Sequence, residues 1–273
     1  MSAPDPPDTD TRMSQTQRRD RITELLDSMS FVRVTDLSRR FGVSEVTIRT
    51  DLETLDAEGQ LRRVRGGAVS TAARVRREPS YAESLGDHAD EKAAIGASAA
   101  ALVAPGESVF LDVGTTTTAV ARALVQRDDL EDIVVLTNAL PIALELEPAI
   151  PRFSVIVTGG TLRPLQHSLV NPLATTLLDQ LHVDTAFIGC TGIVWPKGVT
   201  NVNLPETEIK RHIVRKAGRR ILVADGSKVG AVSLAPVCGI DEIDLLITGI
   251  SADAGNLQQL EDHGLAIEVA GRG

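Results

Sequence analysis

VSEVTIRTDLETL, residues Val43 to Leu55, is the stretch from which the rest of the chain is read. Ser44 is suited to capping a helix start, and Glu45 follows in the first turn, where a carboxylate favours the positive helix end. Val43 and Ile48 are spaced to pack across that start as a hydrophobic staple. Ile48, Leu52 and Leu55 then share one helical face. Glu45, Thr47, Arg49, Thr50 and Glu53 point elsewhere, with polar groups able to reach base edges or phosphates. A capped, one-sided helix of this kind is what a DNA recognition helix requires. A surface helix of a small bundle has the same pattern, and this helix alone does not separate the two.

Working outward, Ile22, Leu25, Leu26 and Met29 repeat at helical spacing and predict an amphipathic helix from about Gln17 to Ser28. Thr35 is placed to cap a short second helix in which Leu37 and Phe41 share a face. Gly42 ends that helix where a left-handed residue is needed. Two helices joined by so tight a turn make a helix-turn-helix. Beyond Leu55, residues 61–65 alternate like a strand, Gly66-Gly67 permits a turn, and Ala68-Val69 returns. This reads as a small hairpin, or wing, carrying Arg62, Arg63 and Arg65.

Charge separates the chain into parts. The full 273 residues carry a net charge of −9. Residues 14–77 hold 13 arginines against 9 acidic residues, a net of +4, whereas residues 78–273 carry −11. An acidic body with a basic N-terminal module implies that only the module meets DNA. The start, MSAPDPPDTD, is polar, proline-rich and acidic, unlike a signal peptide, and is read as a disordered tail over residues 1–13. No apolar run approaches the roughly 18 residues of a membrane span. Cys190 and Cys238 fit no metal-ligand spacing, so free thiols in a reducing cytoplasm are expected. His167, His182 and His212 are likewise read as structural, and neither a metal nor a cofactor is expected.

The joint pattern S-x-x-T-I-R-x-D-L followed by R-x-x-G-G-A, within residues 34–69, resembles the winged-helix head of DeoR-type transcriptional regulators. That family usually places two arginines where this chain has Arg49-Thr50, which implies an altered operator. On this reading Ser44, Thr47 and the amides of the helix start hold phosphates. Arg49 and Thr50 face base edges, with Arg49 suited to a guanine. Arg62, Arg63 and Arg65 grip the backbone or an adjacent minor groove, adding salt-sensitive affinity. Thr35, Glu45 and the wing turn at Gly66 and Gly67 complete the expected DNA interface.

Residues 71–90 lose periodicity and are read as a linker, after a DNA-binding domain at 14–70. Asp90 is expected to cap a helix reaching about Val103. Apolar runs then recur at residues 109–113, 133–136, 153–157, 185–188, 221–224 and 245–248, with helical stretches between most of them. This predicts an α/β domain with a mainly parallel sheet over residues 91–273. Ligands in such sheets sit at the carboxyl ends of strands. Those ends read DVGTTTT from Asp112, Thr137-Asn138, Thr158-Gly159-Gly160-Thr161 and Asp225-Gly226-Ser227-Lys228, a recurrent set of small polar residues.

This body resembles the effector domain of the same family, related in fold to ribose-5-phosphate isomerase and glucosamine-6-phosphate deaminase. The resemblance implies that Lys92, Asp112, Gly114, Thr115, Thr116 and Thr117 bind the phosphate of a sugar phosphate. Asn138, Gly159, Gly160, Lys210, Asp225 and Lys228 would then surround its polyol. Glu206 and Lys210 stand where the family carries an acid and a lysine, although an i, i+4 surface ion pair explains the same spacing. Gly226 and Gly249 depart from the family's usual histidine and aspartate. Trp195 is expected either to cover the pocket or to lie in a subunit contact. The expected function is a DNA-binding transcriptional regulator, a repressor in a homo-oligomer, released from double-stranded operator DNA by a phosphorylated sugar. The alternatives are a sugar-phosphate isomerase or deaminase with a DNA-binding head, and a regulator whose body binds no ligand.

Overall fold

The computed structural model describes residues 13–29, 31–64, 66–70 and 78–271. The chain divides into two compact units, the second beginning at Glu78. The first runs α1 (Gln15–Met29), β1 (Phe31–Arg33), α2 (Val34–Phe41), α3 (Glu45–Ala57), β2 (Leu61–Val64) and β3 (Gly67–Ser70). Its core joins Ile22 and Leu26 of α1, Leu37 of α2, and Ile48, Leu52 and Leu55 of α3. Gly42 has φ 64°, the left-handed geometry a residue with a Cβ rarely adopts, and its N–H donates to the Ser38 carbonyl. The helix-turn-helix is therefore closed by its own backbone.

Two expectations for this unit change. The wing has three strands in the order β1-β3-β2, because Phe31–Arg33 pairs antiparallel with β3. Three residues are too few to leave an alternating pattern in sequence. Thr35 does not cap α2: the helix begins at Val34, Arg33 precedes it in extended conformation, and no side chain caps it. Pairing with β3 holds the chain extended through Arg33, and Val34 turns its side chain into the core. Thr35 is left exposed in the first turn. The tail over residues 1–12, Arg65 and the linker residues 71–77 lie outside the described residues.

Asp51, on α3, has no solvent exposure and joins α3 to α1. Its carboxylate accepts from Arg18 Nε at 2.6 Å and Arg19 Nε at 3.2 Å. Arg18 is itself buried. Removing one partner of a buried pair leaves the other charge uncompensated, typically at a cost of about 3–5 kcal/mol. Asp51→Ala should destabilise the first unit by roughly that amount. Urea unfolding of the full chain measures it, and adding Arg18→Met should recover part of the loss.

The second unit includes the second half of the expected linker. Ser80 caps α4 (Tyr81–Gly86) in a capping box with Glu83. The next helix, α5 (Ala89–Ala101), starts from His88 rather than Asp90, which lies inside the first turn. The misreading has a plain cause, since a six-residue helix shows no period, although Ser80-x-x-Glu83 is a capping-box signature. The chain continues β4 (Ser108–Leu111), α6 (Thr115–Val125), β5 (Ile133–Thr137), α7 (Leu140–Leu146) and β6 (Phe153–Val157). A hairpin follows, β7 (Thr161–Arg163) and β8 (Ser168–Val170), then α8 (Leu173–Leu178) and β9 (Val183–Ile188). Next come β10 (Gly192–Val194), β11 (Gly198–Asn201), α9 (Leu204–Lys216), β12 (Ala217–Ala224) and β13 (Ala235–Cys238). The chain closes with β14 (Leu245–Thr248), α10 (Ala254–Asp262) and β15 (Ile267–Val269).

Seven strands form one sheet, β15-β14-β12-β9-β4-β5-β6, and every pairing in it is parallel. All six expected runs lie in it. Alternate side chains feed two cores. Val109, Leu111, Val135, Phe187 and Val223 pack with α5, α6 and α7, while Phe110, Leu136, Ile188 and Leu222 pack with α8, α9 and α10. Helices cover both faces, as a parallel sheet requires. From β4 the chain steps outward to β5 and β6, then returns to place β9 on the other side of β4. In open parallel sheets the crevice at such a reversal, here beyond the ends of β4 and β9, is where ligands bind.

Candidate functional site

On the first unit, the Ser44 hydroxyl accepts from Thr47 N at 3.1 Å, so the expected cap of α3 is present. Arg49 is exposed and donates to Glu45 at 2.8 Å, one turn earlier. The Thr50 hydroxyl donates to the Val46 carbonyl at 3.1 Å. Arg63, on β2, donates to Glu53 of α3 at 2.6 Å, which ties the wing to the helix. Arg62 lies on the same strand, and Gly66 and Gly67 form the turn, with the Gly66 carbonyl accepting from Val34 N at 3.0 Å. The exposed face thus carries Arg49 and Arg63, each paired with an acid, over the buried core of the unit.

In the second unit the strand reversal sets the geometry. Asp112 follows β4 and is 1 % exposed. Its Oδ2 accepts from Gly189 N, just beyond β9, at 3.0 Å, and from the Lys210 ammonium of α9. Burial raises the carboxyl's pKa above the usual carboxylate range, against the pull of Lys210. Asp112 Oδ1 has no hydrogen-bond partner among the described residues, and neither has Asn138 Nδ2 at the end of β5. Asn138 is held by its other end, where Oδ1 accepts from Val113 N at 3.1 Å. Buried polar atoms left without a partner are uncommon and costly.

Between them α6 starts at Gly114 with no side-chain cap. The Thr117 and Thr118 hydroxyls both turn back to the Gly114 carbonyl, at 2.8 Å each. Of the four threonines, Thr115 and Thr116 are therefore the ones whose hydroxyls remain available beside the open amides. Lys92 is buried and donates to the carbonyls of Ser84 (2.7 Å) and Asp87 (2.6 Å), closing the turn between α4 and α5. Burial lowers its pKa, and it feels the charges of Asp225 and Lys228. Two of its three donors are thus taken up by the backbone. Asp225 is buried, with Oδ1 accepting from Ser227 N at 3.1 Å, while Lys228 lies 3.7 Å from Oδ2.

Gly159 and Gly160 lead into β7. Gly160 has φ 119° and lies against the Val170 carbonyl, where a Cβ would overlap it. The departures at Gly226 and Gly249 have a shared packing reason. A side chain at Gly249 would overlap Glu91, whose carboxylate caps Ser251 N at 3.0 Å, and one at Gly226 would overlap Ser251 and Ala252. Glu91 thus occupies the space beside the end of β14.

Glu206 and Lys210 do not form the surface pair their spacing allowed. Both are buried, at 5 % and 3 % exposure, and each turns to a different partner. Lys210 meets Asp112, whereas Glu206 accepts from Ser168 Oγ at 2.6 Å and from Arg163 at 2.9 Å. Arg163 also holds Glu78. Burial pushes the Glu78 carboxyl up, against the hydrogen bond from Arg163. Arg163, Ser168, Gly189 and Asp51 were not anticipated, and only Asp51, inside the family-like motif, carried a signal. Trp195 stacks on His263 with ring centroids 3.8 Å apart. His167 packs edge-on to Tyr81, and His212 lies 3.0 Å from Asp179. Burial raises the Cys190 and Cys238 thiols to about 12. Among the described residues no group of three or more potential ligands is placed to hold a metal, and no helix is long and apolar enough to cross a membrane.

A winged helix-turn-helix followed by a parallel α/β domain with a polar crevice at its strand reversal is the build of a ligand-responsive transcriptional regulator. Residues 18–74 match the DeoR-like helix-turn-helix domain, and residues 87–249 match the DeoR C terminal sensor domain. The chain is 32% identical over 254 residues to the HTH-type transcriptional regulator GolR of Listeria innocua, covering 93% of this chain and 98% of that protein. It is 36% identical over 255 residues to the regulator GlpR of Haloferax volcanii, again covering 93% and 98%. The chain belongs to the DeoR family of helix-turn-helix transcriptional regulators. Ribose 5-phosphate isomerase from Methanocaldococcus jannaschii aligns over 52% of this chain and 55% of its own, at 18% identity and a TM-score of 0.39, too slight a likeness to argue from.

The buried Lys210–Asp112 pair gives a signed prediction. Lys210→Met leaves Asp112 buried and alone, so stability at neutral pH should fall by about 3–5 kcal/mol. A carboxyl with a raised folded-state pKa costs stability when ionised and regains it as pH falls through that pKa. The deficit against wild type should therefore narrow on acidification, as read by denaturant midpoints across pH. Asp112→Asn in the same chain should remove most of that pH dependence.

Proposed function

We propose that the chain is a repressor released from operator DNA by a phosphorylated sugar bound at the strand reversal. The observation that carries this reading is the pair of unpartnered buried atoms, Asp112 Oδ1 and Asn138 Nδ2, beside the uncapped start of α6. One is an acceptor and the other a donor, and a sugar hydroxyl is both. The open amides and the Thr115 and Thr116 hydroxyls suit a phosphate. Lys228, partly exposed, supplies a cation near the polyol, and Gly159, with open space where a Cβ would stand, leaves room for close approach. Asp225 positions Lys228, and Lys210 orients Asp112. Lys92 acts in this scheme through its charge, at the edge of the same cluster.

On the DNA side, Ser44, Thr47 and the α3 amides position phosphates, and Arg49 reads a base. With its hydroxyl committed to Val46, Thr50 offers its methyl group, which suits contact with a thymine methyl. Arg63, Arg62 and Arg65 supply backbone affinity, with Glu53 exchanged for a phosphate on binding. Two recognition helices must meet successive half-sites, so the protein acts as a symmetric homo-oligomer. A ligand preferring one arrangement of that oligomer shifts it from the DNA-competent one. Glu206 and Asp225 are each engaged, and Asp112 is pinned through one oxygen by Lys210 and Gly189 with the other left to accept from a sugar hydroxyl, so none of the three is assigned as a catalytic base.

Three outcomes test this. Arg49→Ala should lose about 1–3 kcal/mol of discrimination at one base pair, whereas Arg63→Ala should weaken all operators alike and flatten the salt dependence. Binding to single-base operator variants at two salt concentrations separates them, and identical profiles would sink the assignment. Sugar phosphates should raise the melting temperature of the wild type and release it from operator DNA. Lys228→Ala should melt like wild type yet respond much less to the same compounds.

A further inference from the structure

The second unit begins at Glu78, directly after Arg74, Arg76 and Arg77 in the sequence. This first residue is fixed from one side chain. Arg163 donates to both oxygens of the Glu78 carboxylate, and its Nη1 also donates to Glu206 at 2.9 Å. The hairpin carrying Arg163 reinforces the hold, since Tyr81 N donates to the Leu165 carbonyl at 2.8 Å and Gln166 donates to the Pro79 carbonyl at 2.5 Å. The same hairpin leads back to the crevice. Leu169 N donates to the Asn138 carbonyl at 2.7 Å, and Ser168 donates to Glu206.

Glu206 and Lys210 stand one turn apart on α9, and Lys210 ends on Asp112. Five charged groups thus follow one another from the crevice to the start of the unit: Asp112, Lys210, Glu206, Arg163 and Glu78. Three are acids and two are bases, and they sit in little solvent, where charges act on one another strongly.

We propose that Arg163 is the coupling residue of this regulator, clasping the start of the sensor unit to the helix of Lys210 and releasing it when an anion engages the crevice. The proposal rests on the effector reading above for the identity of the anion, not for the clasp. An anion held at the start of α6, beside Asp112, opposes the field that the Lys210 ammonium supplies to Glu206 and Glu78. The two carboxylates then repel each other across a single guanidinium. Glu206 has Ser168 as a second donor and stays, whereas Glu78 depends on Arg163 and yields. The output is a change in how firmly the residues joined to the DNA-binding module are held.

Trypsin reads this directly in the full chain, because Arg74, Arg76 and Arg77 place its cleavage points beside Glu78. Arg163→Met should speed appearance of fragments beginning at Val75, Arg77 or Glu78 by about five-fold or more, the size of an ordinary coupling. Arg163→Lys should lie between that and wild type. Asp112→Asn removes a negative charge at the far end and should slow the same cleavage, while Lys210→Met should hasten it. Melting curves for each variant separate local release from global unfolding, and Asp112→Asn, nearly isosteric, carries the test if Lys210→Met does not fold. An unchanged rate in Arg163→Met overturns the clasp. A faster rate there, with Asp112→Asn at the wild-type rate, overturns the coupling. Ribose 5-phosphate and glucose 6-phosphate, assayed for thermal shift on wild type, test the ligand reading separately. If neither shifts the melt while the variants behave as stated, the sugar-phosphate reading fails and the clasp stands.

Discussion

The contact between Lys210 and Asp112 governs the sensor domain. Asp112 sits at the one place where the strand order reverses, bonded to the chain beyond β9 on one side and to α9 on the other. Removing charges from water is costly, and a buried pair often adds little net stability. What it adds here is orientation. One carboxylate oxygen is fully engaged, and the other is buried with nothing to accept from among the described residues.

The DNA-binding unit applies the same economy of side chains differently. Asp51 locks α3 to α1 from beneath, while above it the reading face is left to exposed, reversible pairs, Arg49 with Glu45 and Arg63 with Glu53. Such exposed pairs are worth little by themselves. They hold the arginines extended and ordered at low cost to exchange, so a phosphate or guanine can displace the acid. Rigidity comes from the buried pair and adaptability from the exposed ones.

Much of this was legible in the chain. The recognition helix announces itself through Ser44, Ile48, Leu52 and Leu55, because capping and helical period are local rules. The six long strands were equally plain as apolar runs bounded by small residues. Short elements were not: β1 has three residues and α4 has six, below the length at which a period can be counted. In the crevice, Asp112, Asn138 and Lys210 could be named from strand ends and family pattern. Arg163, Ser168 and Glu78 could not, since they meet only after the β7–β8 hairpin folds back across α9. The spacing of Glu206 and Lys210 misled for a related reason. Helical proximity says two residues are neighbours, but burial decides which partner each one needs.

Trp195 is the chain's one tryptophan, at the turn between β10 and β11, stacked flat against His263 at the end of α10. Indole emission from this protein therefore has a single address. It reports on whether that turn and that helix end remain face to face. The molecule carries its own optical gauge of the sensor domain, readable without a label.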